Sequence, residues 1–298
     1  MPATLFGIDF TPAVMSLAGV AAFLVGIVAA RHQIANARGL EKIVALTYVC
    51  VAVPLAVFGA LHLAGPRFVA PLVPPYMPFG RMFWVYAVGC ALILAADSIA
   101  MKVGVRWSGL LFGIMMILFV AMIHLPGALR KPDRIIWTIV FRELSFGGGG
   151  WLLAGMAINA GPAARRLIGA GTVFVTAALI VFGVLHFLHP HGLPGVPLVK
   201  QMPAWVPAQV AIDFLTGAAL LAAAASVLLQ RHTRTVAACV GAWLLVMVLG
   251  IYGPVLIGAL SQSNAGIQLE GVNYFADTLL FTGVVLALAN AAPRSRAQ

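Results

Sequence analysis

Long apolar segments separated by short polar loops run the length of the chain. A helix needs about 20 apolar residues to cross the roughly 30 Å hydrocarbon core of a bilayer. From the apolar lengths and the charged residues between them, we place nine spans near residues 13–30, 43–63, 83–101, 107–125, 138–160, 167–187, 209–229, 235–258 and 272–292. Arg142 and Glu143 interrupt the outer end of the fifth. The pattern predicts an all-α polytopic transmembrane helical bundle.

A four-span unit occurs twice. The segment Val57–His62 returns 124 residues later as Val181–His186, and the match continues more weakly through Ile123–Pro126 with Ile251–Pro254 and Phe141–Glu143 with Phe275–Asp277. We therefore divide the chain into an extra N-terminal span with its loop (1–42), a first repeat (43–162) and a second repeat (163–298). Four spans is an even number, so the two copies should insert in the same orientation, as a parallel repeat.

Positive charge is unevenly divided between the two sides of this topology, and the richer side marks the cytoplasm. The C-terminal side holds eleven basic residues: Arg31, Arg38, Lys42, Lys102, Arg106, Arg165, Arg166, Arg231, Arg234, Arg294 and Arg296. The other side holds seven: Arg67, Arg81, Arg130, Lys131, Arg134, Arg142 and Lys200. We expect the N-terminus outside and the C-terminus inside the cell.

Composition agrees with a membrane protein. Hydrophobic residues make up 62% of the chain and charged residues 9%, against about 25% charged in a soluble domain. The formal charge of +10 sits in short loops. Because it forms no basic run or stripe, nucleic-acid binding is excluded as a function class. The lipid bilayer is the expected partner.

Polar side chains inside a bilayer are costly, so each is a candidate for function. On this topology His62, His124 and Glu143 should line one outer-leaflet cavity, and His186, Tyr252 and Asp277 should line its counterpart in the second copy. A histidine can donate to a quinone oxygen and a carboxylate can relay its proton. The alternative is that these histidines only anchor helix ends at the interface. Asp213 lies in the outer part of the seventh span, near the second set.

A metal site is a further alternative. His186, His189, His191 and Met202 combine imidazole with thioether, a ligand set that suits copper. A haem held between His62 and His186 is also open, because the repeat would place the two at equal depth. The glycine run Gly147–Gly150 is read as a site of close helix packing.

Several motifs resemble the DoxX-like family of bacterial membrane proteins, here as a tandem four-helix form covering residues 43–292. In the first copy they are Phe58–Leu63, Pro66, Pro74–Pro78 and Trp84–Gly89, and in the second Phe182–Phe187, Pro190 and Met202–Trp205. The resemblance implies a helical bundle in the bacterial inner membrane, sometimes tied to oxidoreductase or quinone systems. Many relatives carry a glutamate where Leu92 and Leu220 stand here, so chemistry that uses that carboxylate is not expected.

The function expected from these observations is a membrane subunit or partner of a quinone-linked redox system, with an outer-leaflet pocket for a lipophilic ligand. Two alternatives remain open at this point. One is a carrier for a small solute or metal, since duplicated bundles also form transporters. The other is a non-catalytic assembly subunit of a membrane complex. Whether the chain is an enzyme is left open.

Overall fold

The computed structural model describes residues 4–5, 7–158 and 160–293. A short hairpin of β1 (Thr4–Leu5) and β2 (Ile8–Asp9) is followed by helices. They are α1 (Phe10–Asn36), α2 (Leu40–Val44), α3 (Thr47–Ala64), α4 (Pro66–Val69), α5 (Arg81–Met101), α6 (Val105–Phe119), α7 (Leu125–Arg130), α8 (Arg134–Ala157), α9 (Pro162–Leu188), α10 (Gln209–Leu228), α11 (Thr233–Met247), α12 (Gly253–Leu260) and α13 (Ala265–Ala291). A 3₁₀ turn (Ala70–Leu72) follows α4. Two π-helical segments, Val120–His124 and Val248–Tyr252, join α6 to α7 and α11 to α12.

Eight helices or continuous helical runs among the described residues are long and apolar enough to cross a membrane. They are Phe10–Asn36, Leu40–Ala64, Arg81–Met101, Val105–Arg130, Pro162–Leu188, Gln209–Leu228, Thr233–Leu260 and Ala265–Ala291. These helices confirm the predicted all-α polytopic bundle and a multi-pass protein of the lipid bilayer. The predicted fifth span corresponds to α8, which has 24 residues but is less apolar because it contains Arg142, Glu143 and four successive glycines.

Glycine contacts show how α8 runs between α6 and α9. Gly109 of α6 lies against Gly150 and Ala154 of α8. Gly113 follows one turn later on α6, and its contacts, Gly147 and Trp151, lie one turn earlier on α8. The two helices are therefore antiparallel, and contacts of Gly148 with Gly171 and of Gly155 with Ala164 make α8 antiparallel to α9 as well. At about 1.5 Å per residue α8 is about 36 Å long, so it lies alongside its neighbours as a ninth long helix. The close packing predicted for Gly147–Gly150 is confirmed.

The interior of the bundle is built on α3, α8 and α13. We compare the buried share of residues in the most apolar part of each span. This share is 83% in α13 and 72% in the Leu40–Ala64 run, and it is 28–39% in the other six spans. Helices α8 and α13 meet near the centre, where Gly149 lies against Val284. The absence of a side chain at Gly149 lets the two helices approach closely, and this contact brings their polar residues together.

Several span boundaries differ from the prediction by five residues or more, at the ends of α1, α9, α13 and the fourth span. Helix α13 begins at Ala265 rather than near residue 272, because the Asn264 side chain caps it by accepting from the backbone N–H groups of Gly266 and Ile267. The fourth span continues through the π segment and α7 to Arg130. Asn159 of the predicted fifth span, and Arg294 and Arg296 of the charge count, lie outside the described residues.

Corresponding features appear in the two predicted repeats. Each π segment is followed within two residues by a proline, Pro126 or Pro254. Gly59 of α3 packs against Ile93 of α5, and Gly183 of α9 against Leu221 of α10. The duplication and the domain limits at 43–162 and 163–298 stay predictions.

Candidate functional site

Arg142 of α8 joins two buried carboxylates. Its Nη1 donates to Asp277 Oδ2 of α13 at 2.8 Å and its Nη2 to Glu143 Oε1 at 2.6 Å. The Arg142 side chain is 17% exposed, that of Asp277 11% and that of Glu143 10%. Charge-assisted hydrogen bonds of this length are strong, and an arginine within a membrane helix needs such partners. These residues form one mixed-charge cluster, which we call the Arg142 cluster.

This arrangement corrects the expected grouping. Glu143 and Asp277 were assigned to separate cavities, but both meet on Arg142, since α8 and α13 run parallel and in contact. Sequence reasoning missed the role of Arg142, which was read only as an interruption of the fifth span. The need of a buried guanidinium for counter-charges would have been the signal for it.

The remaining residues of the first predicted set, His124 and His62, have different surroundings. His124, at the end of the first π segment, is close enough to Glu143 and Arg142 to interact with both electrostatically. His62 of α3 is half-buried, donates from Nδ1 to the Phe58 carbonyl at 2.7 Å, and packs against Gly89. The local bond to its own helix holds the imidazole in place.

A cleft of about 290 Å³ opens beside the Arg142 cluster. Polar and charged residues on α8 and α13 form one side of it, and apolar residues form most of the rest. It is lined by Phe68, Ile135, Ile139, Arg142, Leu198, Val199, Gly266, Leu269, Glu270, Asn273, Tyr274 and Asp277. Two of these residues hold buried polar atoms without a hydrogen-bond partner, the Nε of Arg142 and the Oδ1 of Asn273. Buried groups of this kind are rare and call for a partner.

The second predicted set centres on His186 of α9. His186 is 2% exposed. Its Nδ1 donates to the Phe182 carbonyl at 2.6 Å, and its Nε2 accepts from the Gly195 N–H at 3.1 Å. Asp213 of α10 lies 3.8 Å from the same Nε2. The buried hydroxyl of Tyr252 donates to the Pro194 carbonyl at 2.8 Å.

These contacts argue against His186 as a ligand, while the metal and haem expectations stay predictions. Nδ1 of His186 carries a proton, and the one lone pair of the neutral ring, on Nε2, already accepts from the Gly195 N–H, so it is not free for copper or for haem iron. His189 and His191 are exposed, whereas Met202 is buried in an apolar cluster with Tyr252. Among the described residues no group of three or more His, Cys, Asp and Glu side chains is arranged to hold a metal ion.

A second cleft, of about 770 Å³, lies at the opposite end of the bundle and was not predicted. Arg234 of α11 binds both carboxylate oxygens of Glu41 there and donates to the Ala289 and Asn290 carbonyls near the end of α13. These bonds tie the α2 segment to two helix ends. Arg38 and Arg234, which line this cleft, are among the basic residues counted on the side expected to face the cytoplasm.

Comparisons with known proteins found no match: no family model matches the chain, and neither does any curated protein or solved structure. The resemblance to the DoxX-like family therefore stays a prediction that rests on the motifs quoted above.

Proposed function

We propose that this protein binds a small amphiphilic ligand of quinone type in the cleft beside the Arg142 cluster, as the membrane subunit or partner of a redox system. The observation that carries the proposal is the pair of unpartnered polar atoms, one donor and one acceptor, in residues that line a largely apolar cleft. A quinone carbonyl can accept from an N–H group, and the hydroxyl of its reduced form can donate to an amide oxygen.

The size and walls of the cleft agree with such a ligand. A volume of about 290 Å³ is at the small end for ligand sites, which suits a single substituted ring. Phe68, Ile135 and Ile139 supply apolar contact for the ring and for the start of a lipid tail. A quinone, when bound, supplies reversible electron and proton transfer. The chain itself supplies the donor on Arg142 and the acceptor on Asn273, with Asp277 fixed by Arg142.

The finer location follows from the charge count and the resemblance. We place the protein in a bacterial inner membrane, with its N-terminus outside and its C-terminus in the cytoplasm. The cleft would then lie in the outer leaflet, at the end of the bundle with fewer basic residues. A partner subunit would exchange electrons with the bound ligand.

Quinone binding can be tested with the purified full-length protein in detergent. We expect a short-chain benzoquinol to bind, and Asn273→Leu to weaken that binding by about tenfold, because one hydrogen bond is worth about 1 kcal/mol or slightly more. The matched control is Asn290→Leu, near the other end of α13, which should leave quinol affinity unchanged. Absence of quinol binding by the unmodified protein, or equal affinities in the two variants, would refute the proposal. Solute counterflow in liposomes that Asn273→Leu abolishes would favour the carrier instead.

A further inference from the structure

The long loop between α9 and α10 is held down by buried polar groups. This loop, residues 189–208, is called the strap here. Residues 193–197 are all buried. Besides the Tyr252 hydroxyl, side chains of three helices form hydrogen bonds with the strap backbone. His186 of α9 accepts from the Gly195 N–H, and Tyr274 of α13 accepts from the Lys200 N–H. Arg134 of α8 donates to the Pro197 carbonyl. Leu198 and Val199 of the strap also line the cleft.

Gly195 is the point at which the strap enters the interior. Its φ of +108° is a backbone conformation that residues with a side chain rarely adopt. A Cβ at this position would lie 3.1 Å from the Thr278 side chain. The glycine thus allows the backbone N–H to reach His186. An imidazole nitrogen can accept this bond only in the neutral ring, because both nitrogens of a protonated ring are donors. We call the strap seated when the Gly195 N–H donates to His186 Nε2. The seated strap therefore requires a neutral His186.

Asp213 differs from His186 in that its neutral form is the protonated one. Its side chain is 1% exposed, and neither carboxylate oxygen has a hydrogen-bond partner. An ionised carboxylate without partners in an apolar interior costs several kcal/mol, whereas the protonated acid is neutral. Since Nε2 of His186 is 3.8 Å away and already accepts from Gly195, it gives the carboxylate no cation. Burial at this site therefore favours a protonated Asp213 while the strap is seated.

We propose that Asp213 and His186 form a proton-binding site that holds one titratable proton, on Asp213, while the strap is seated, and that gain or loss of a proton releases the strap. A second proton would place an N–H on Nε2 and displace the Gly195 N–H. Loss of the first would leave a buried carboxylate beside a lone pair. Strap order should then follow a bell-shaped dependence on pH, with one limb from each residue.

Other titratable groups face this pair from the surrounding elements. His191 of the strap interacts electrostatically with Asp213, and so does Tyr252 of the second π segment. Tyr252 also interacts with Tyr274 and Asp277 of α13. The backbone N–H groups of His191 and Gly192 are directed at Asp213 without reaching full hydrogen-bond geometry. These groups move the midpoints of the two limbs, while Asp213 and His186 decide which limb exists.

The experiment is a spin label on the strap, with no quinone present. Gln201→Cys, at an exposed strap position, is labelled in a Cys90→Ser, Cys239→Ser background, because those two cysteines are exposed and Cys50 is buried. We expect label mobility in the full-length protein to be lowest at intermediate pH and to rise on both sides. Asp213→Asn should remove the alkaline rise alone. His186→Gln, which keeps a donor and an acceptor but cannot titrate, should remove the acid rise alone.

Two controls make the outcome decisive. The first control is a spin label at Gln262→Cys, in the exposed loop before α13. Its mobility should not follow the titration of Asp213 and His186, so a similar bell-shaped pH dependence at this position would overturn the proposal. In the unmodified protein at intermediate pH, isotope-edited infrared spectra should show a protonated aspartic acid that Asp213→Asn removes. A spectrum with ionised aspartates only, or a pH-independent label on the strap, would also overturn it. Quinone binding is measured separately with Asn273→Leu, so failure of one proposal leaves the other standing. An effect of the strap on ligand binding, through Leu198 and Val199 in the wall of the cleft, rests on the proposed function.

Discussion

Replacement of Arg142 by methionine tests whether the Arg142 cluster is a true buried network. The change keeps an unbranched side chain of similar length but leaves Glu143 and Asp277 without their cation. Both carboxylates are about one-tenth exposed, and both bond Arg142 at under 3 Å. Neither has an alternative cation at such a distance among the described residues.

The expected cost follows from that burial. Removing one partner of a buried ion pair lowers the free energy of unfolding by about 3–5 kcal/mol. Because the cluster borders an open cleft, we take the lower end, about 3 kcal/mol, as the expected loss. A triple variant with Arg142→Met, Glu143→Gln and Asp277→Asn removes all three charges and should recover most of it, because neutral replacements of buried ion networks are often tolerated.

The assay is thermal unfolding of the detergent-purified protein, with a thiol-reactive dye that reports exposure of the buried Cys50. All variants carry Cys90→Ser and Cys239→Ser, because those two cysteines are exposed and would react with the dye before unfolding. A loss of about 3 kcal/mol should lower Tm by about 6 °C or more. The control is Lys200→Met, which breaks the Lys200–Glu270 pair between side chains 26% and 46% exposed and should cost about 1 kcal/mol or less. The reasoning is refuted if Arg142→Met costs no more than Lys200→Met, or if the triple variant is as unstable as the single.

Two further predictions concern packing and orientation. Gly109→Ala should lower stability by about 1–3 kcal/mol, because its Cβ would lie 2.5 Å from the Gly150 carbonyl oxygen, whereas Gly169→Ala, with nothing within 4 Å, should cause no loss; equal unfolding temperatures for the two would contradict this contact. Reporter fusions should place the N-terminus outside and the C-terminus inside, following the eleven-to-seven division of basic residues; an N-terminal reporter active in the cytoplasm would reverse the orientation.

The kind of the membrane helices, and the place along the chain of the eight found among the described residues, could be predicted from the sequence. Inside a bilayer every backbone polar group must be bonded within its own segment, so an apolar run of the right length is a helix whatever its neighbours are. The glycine run of α8 could likewise be read as a contact surface. Its partners Gly109 and Gly171 could not, since small residues recur on many helix faces and only packing selects which of them meet.

The polar sites were decided by the tertiary structure. Sequence spacing placed Glu143 and Asp277 near the outer ends of two helices, but their sharing of Arg142 depends on the contact of Gly149 with Val284, which sets α8 and α13 side by side. In the same way, the histidine-rich segment suggested metal ligands, whereas the fold turns Gly195 inward and uses the Nε2 of His186 to hold the strap. Hydropathy is a local property that each segment carries alone. The partner of a buried charge depends on which helix faces pack together, and that is settled only when the whole bundle assembles.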